Sequence, residues 1–137
     1  RRAGGTPMRT LIVAACLIAA PAHAQPGAQK LGPGDWYGIG QQVGPQGVQS
    51  TWTIELSLTG IDNAAISYPS LGCTAKLHRI MSTSNQIEFR EEITAGNCID
   101  DGHITAILRN NRLYWFWSKP SAGADASAVL YRDQPIG

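Results

Sequence analysis

Hydrophobic residues recur at every second position through most of this chain. In "STWTIELSL", Trp52, Ile54, Leu56 and Leu58 alternate with Thr51, Thr53, Glu55 and Ser57, the pattern of a strand with one buried and one wet face. "QIEFREEIT" sets Ile87, Phe89, Glu91 and Ile93 on one face and Glu88, Arg90 and Glu92 on the other. In "HITAILRNNRLYWFW" two alternating runs meet at Asn110-Asn111, residues that tolerate the positive φ of a two-residue hairpin turn. Beyond residue 24 nothing repeats at helical spacing for even three turns. The spacing predicts about eight strands, over 36–41, 50–59, 64–68, 73–81, 85–94, 102–109, 112–118 and 126–132. Short connections make each strand the antiparallel neighbour of the last. A helix-free meander of this kind closes most economically on itself, which removes its exposed edges. The expected fold is all-β, a small antiparallel up-and-down β-barrel, with a two-sheet β-sandwich as the alternative.

The stretch "YPSLGC" interrupts this pattern. Pro69 removes a ladder donor and Gly72 permits a bend, so these residues predict a corner between the third and fourth strands. Cys73 follows at once, and Cys98 is the other cysteine beyond residue 24. An even pair in an exported chain is expected to form a disulfide, and closing a loop of that length is worth roughly 3 kcal/mol in the chain-entropy model. Two cysteines without C-x-x-C spacing argue against zinc.

Export is expected from the first residues. Met8-Arg9, the apolar run Leu11 to Ala20 and the small residues Ala22 and Ala24 resemble a secretory signal cleaved after Ala24, with Arg1 to Pro7 as upstream residues. The apolar core is shorter than the roughly 20 residues a membrane span needs. "VAAC" offers an alternative, a lipobox that would anchor the chain through Cys16. Residues 25–34, rich in Pro and Gly, form an expected flexible lead-in, and 35–137 the single barrel domain. Beyond residue 24, eight Lys and Arg stand against ten Asp and Glu, a net charge of −2. No basic stripe remains to bind nucleic acid or an anionic membrane surface. The chain is expected to be a monomer that is not transmembrane.

"DWYG", with a lone Arg132 in the last strand, is similar to the lipocalin and calycin pattern, in which a first-strand Trp near a Gly packs under a final-strand Arg. That resemblance implies structural roles for Trp36, Gly38 and Arg132. "SYPSLGC", "REEITAGNC" and "DDGHITAIL" followed by "LYWFW" resemble a small bacterial extracytoplasmic β-domain found alone or attached to sensor Ser/Thr kinases. The resemblance covers about residues 50–118 and implies a binding or sensing module without a known ligand. Where that family has a second glycine in its C-x-D-G-G run, this chain has His103.

Candidate chemistry is sparse. Glu91 falls by parity on an apolar face, where an enclosed carboxylate must pair, hydrogen-bond or protonate. Arg132 and Arg79 are its expected partners. It is either a polar anchor in a ligand cavity, with Tyr68, Tyr114 and Phe116 as further candidate contacts, or part of a structural network, or it is turned outward by a bulge. Asp100, Asp101 and His103 are the residue types of a metal site, yet clustered loop residues bring few ligands to one point, and Asp100 and Asp101 equally suit a solvated Asx turn. His78, in mid-strand, is expected to face solvent. Ser67 and Ser70 have no identifiable His and Asp partners, and Glu91 and Glu92 point to opposite faces of one strand. Tyr114, Trp115, Phe116 and Trp117 put two aromatics on each face, the outer pair forming a contact surface or packing beneath a loop.

Three functions are compatible with these residues. One is an exported binding module for a small apolar molecule or cell-envelope component, without a cofactor. Another is a protein-binding module, such as an inhibitor of an extracellular hydrolase, presenting the loop at Pro69 to Gly72 or at Gly96 to His103. The last is a metal-assisted enzyme in which Asp100, Asp101 and His103 converge with Glu92.

Overall fold

The computed structural model describes residues 30–44, 47–60 and 62–132. The expected signal at 1–24, with Cys16 and His23, and the start of the lead-in at 25–29 lie outside the described residues. Eight antiparallel strands form a closed barrel in sequence order, so the up-and-down barrel is the fold and the sandwich is not. They are β1 (Gly34–Gly44), β2 (Gly47–Gly60), β3 (Asn63–Tyr68), β4 (Cys73–Ser82), β5 (Gln86–Ala95), β6 (His103–Arg109), β7 (Arg112–Lys119) and β8 (Ala124–Tyr131). Closure comes from β1 pairing with β8 over Tyr37–Gln41 and Ser127–Tyr131.

Alternation decides which side chains enter. Trp36, Ile54, Leu56, Leu58, Ile66, Leu77, Phe89, Ile104, Leu113, Trp115 and Leu130 are buried in a single core, while their strand neighbours face outward. The main departure from the predicted boundaries is in β1 and β2, which each run about three residues further than expected toward their shared hairpin. There they pair only with each other, down to Gly44 and Gly47, and project as a two-stranded arm beyond the β8 pairing.

The two barrel ends differ. At one end lie the lead-in, the β6–β7 turn and the chain's last described residues. Leu31 N–H donates to the Ser84 carbonyl at 2.8 Å, so this part of the lead-in docks on the barrel. Trp36 is buried, and the Arg132 guanidinium sits over its ring at 4.4 Å from the centroid. The glycine that makes room for Arg132 is Gly34, where a Cβ would lie 2.6 Å from a guanidinium nitrogen. Gly38 instead packs against Val129 and Leu130 of β8. Asn110 and Asn111 both take positive φ, 53° and 62°, as the hairpin requires.

The opposite end carries two short 3₁₀ turns, at Pro69–Leu71 and Pro120–Ala122, each opened by proline and closed by a left-handed glycine. The predicted corner is the first of these, with Gly72 at φ 70°. It is latched to β2 by a reciprocal pair: Thr53 N–H donates to Ser70 Oγ at 2.9 Å and Ser70 N–H to Thr53 Oγ1 at 3.0 Å. The Cys73–Cys98 disulfide, with Cα atoms 6.2 Å apart, ties the same corner to the β5–β6 loop. Among the described residues no helix is long and apolar enough to cross a membrane.

Candidate functional site

An eight-stranded barrel is just wide enough to be filled by side chains or to hold one small ligand. This barrel is filled over part of its height and hollow over the rest. Toward the end that carries the 3₁₀ turns the inward positions shrink to Gly40, Ala75, Ala126 and Ala128, and a cavity of about 370 Å³ opens. Its buried lining includes Tyr68, Cys73, Glu91, Trp115 and Ala126, its flanks include Trp52 and Trp117, and Leu71 and Ile99 stand exposed at its rim.

Glu91 is 1% exposed and faces inward, as its parity predicts, so no bulge turns it out. The expected arginine partners are elsewhere. Arg79 pairs with Asp62 at 2.8 Å, and Arg132 lies over Trp36 at the far end. The carboxylate is instead held by two neutral donors: Tyr68 Oη–H donates to Oε2 at 2.5 Å and Trp117 Nε1–H to Oε1 at 2.9 Å. Burial pushes the Glu91 carboxyl above its ordinary value; the bonds from Tyr68 and Trp117 oppose that shift and the nearby Asp100 charge adds to it. Burial, followed by the charge and hydrogen bond of Glu91, raises Tyr68 so far that it remains a donor.

Local backbone holds this group in place. Glu91 is where β5 leaves β6, since the ladder starts at Arg90 and His103, and its N–H turns to the Gly102 carbonyl at 2.8 Å. Gly102 also lies against the Trp117 indole, for a Cβ there would meet Nε1 at 2.1 Å. Gly40 does the same for Trp52, whose ring atoms lie 2.8 to 2.9 Å from the Cβ position. Two glycines thus seat the two tryptophans beside the cavity. Tyr68 meets Trp115 edge-on, with centroids 6.3 Å apart and planes at 67°. Trp115 Nε1 is buried and has no acceptor among the described residues.

Several expected contacts are not made. Tyr114 and Phe116 lie on the outer face, Phe116 at 46% exposure, because the inward parity of β7 belongs to Leu113, Trp115 and Trp117. Of the expected ligand contacts, Glu91 and Tyr68 meet in the cavity and these two do not. Asp100, Asp101 and His103 do not converge with Glu92. His103 Nε2 is 3.1 Å from Glu88, and Glu92 is 2.7 Å from His78, which is exposed on β4. Asp101 lies 3.5 Å from Lys119 and 3.6 Å from Arg90. Asp100 Oδ1 accepts from the N–H groups of Ile93 and Asp101, both at 2.8 Å, and these bonds lower its pKa. Among the described residues no group of three metal-ligating side chains forms. The sequence missed Trp52, Trp117, Gly40 and Gly102. Parity set Trp117 on one face with Trp115 without saying which face was inward, whereas the glycine seats depend on contacts between strands and loops.

Compared with protein-family models, with curated proteins and with solved structures, the chain matches none.

Proposed function

We propose that this chain is an exported, non-catalytic binding module of a bacterium, and that it holds a small molecule at the open end of its barrel. The observation that carries this reading is the 370 Å³ cavity, apolar in most of its lining but with one buried, doubly hydrogen-bonded carboxylate. Binding sites of this size combine aromatic walls with a few placed polar groups. The Cys73–Cys98 bridge fits an oxidising compartment outside the cytoplasm. Export itself and the kinship with extracytoplasmic sensor domains belong to the proposal. Both Glu91 oxygens accept from a fixed donor, which favours recognition over proton transfer to a substrate.

The test is titration of the purified disulfide-bonded chain with the uncharged fluorophore N-phenylnaphthylamine, alongside native mass spectrometry of protein taken from the periplasm. A saturable fluorescence gain, or a co-purified adduct lost on unfolding, supports the cavity. No saturable binding together with an empty mass sinks it. Weight then passes to the protein-binding reading, which Leu71 and Ile99 favour by standing about half exposed on the same rim, at 49% and 47%.

A further inference from the structure

The cavity has a sign. Glu91 and Asp125 both line it, and among the described residues no Lys, Arg or His does. Among the described residues no cation forms an ion pair with Glu91, whose two partners are neutral donors. A buried carboxylate without a counter-charge is costly, and a positive group entering from solvent would remove that cost. Tyr68, Trp52, Trp115 and Trp117 supply four aromatic side chains to the same lining. Aromatic faces attract cations within about 6 Å of the ring, most strongly where water is excluded. Each Glu91 oxygen accepts one hydrogen bond from the protein and has a second lone pair for an ammonium N–H.

From this juxtaposition we infer that the ligand is a small organic cation, an ammonium-bearing molecule with an apolar body, whose charge sits between Glu91 and the surrounding tryptophans. The inference rests on the small-molecule reading above. Gln42, Ser50 and Thr51 at the cavity edge offer neutral polar contacts to whatever part of the ligand points toward solvent. Arg90 and Lys119 are both engaged with Asp101 outside the lining, so neither of these two cations occupies the place of the ligand's charge.

Three probes that share one aromatic body isolate the charge: phenethylamine, phenethyl alcohol and hydrocinnamate, titrated at near-neutral pH into the intact chain. Phenethylamine is expected to bind at least about tenfold more tightly than the alcohol, and hydrocinnamate most weakly. Glu91→Gln, which keeps the side-chain shape and an acceptor for Trp117, is expected to shrink that preference to within about threefold, with binding of the alcohol retained. Trp52→Leu, at the edge of the cavity, provides a second variant should the first not fold, and is expected to weaken the amine by about threefold or more relative to the alcohol. Equal affinities for amine and alcohol, a preference that survives Glu91→Gln or Trp52→Leu, or tightest binding of hydrocinnamate overturns the inference. If N-phenylnaphthylamine binds while the amine shows no advantage, the cation fails and the cavity stands. If no probe binds, both fail.

Discussion

At one end of the barrel Trp36 is sealed between the strands, with Arg132 stacked on it and Leu58, Leu108, Leu113 and Leu130 filling the same end. At the other, Trp52 and Trp117 stand apart around a cavity, and Glu91 occupies the position where a further aliphatic side chain would complete the plug. The alternation is the same at both ends. What differs is side-chain size and the connections. Leucines and a tryptophan fill one end, whereas Gly40, Ala126 and Ala128 leave space at the other. The rim around that space is braced by a disulfide, by the Ser70–Thr53 latch and by Asp100 capping the loop, rather than by packing. A filled end contributes stability through buried area; an unfilled one must be held open by covalent and polar links.

The largest effect is expected from breaking the filled end. Trp36→Ala removes a fully buried indole and should cost about 3–5 kcal/mol, read as a lowered urea midpoint. Next comes the brace. Replacing Cys73 and Cys98 together by alanine should cost about 3.5 kcal/mol in the chain-entropy model for a separation of 25 residues. It should also weaken N-phenylnaphthylamine binding, because the rim loops are no longer tied. A stability loss of that size with unchanged probe binding would show that the bridge does not shape the cavity.

The pH dependence distinguishes the two carboxylates at the open end by sign. Above the ordinary value of 4.5 and below its raised folded value, Glu91 is protonated in the folded chain but ionised in the unfolded one. Stability from this group therefore falls as pH rises through that window, and Glu91→Gln should flatten the decline. Asp100 works oppositely. Its folded value lies below 3.8, so its contribution is complete above that pH and is lost as pH falls through the lowered value. Asp100→Asn should therefore reduce stability near neutrality and converge on the parent in strong acid, as measured by urea unfolding across pH. The smallest effect belongs to the outer face, where Phe116→Ser should change stability by no more than about 0.5 kcal/mol and leave probe binding unchanged.

Period-two alternation is local, and it was enough to number the strands, to favour a barrel over a sandwich and to put Glu91 on the same face as Ile87, Phe89 and Ile93. Chain chemistry was equally local for the Pro69–Gly72 corner, the Asn110–Asn111 turn and the pairing of the two cysteines. Parity also separated Trp115 and Trp117 from Tyr114 and Phe116, but it could not say which pair faced inward, since both are aromatic. The partners of Glu91 were out of reach for a different reason. Tyr68 is 23 residues away and Trp117 is 26. Their meeting depends on the register of β4 with β5, which shifts at Thr74/Ala75, and on the point where β5 leaves β6. The sequence by itself determined how many strands there are and which faces alternate, because each residue's side follows from its neighbours. Only the tertiary structure decided that one end is a plug and the other a cavity, because the space left inside a closed barrel is set by the combined sizes of side chains brought to the same height from all eight strands.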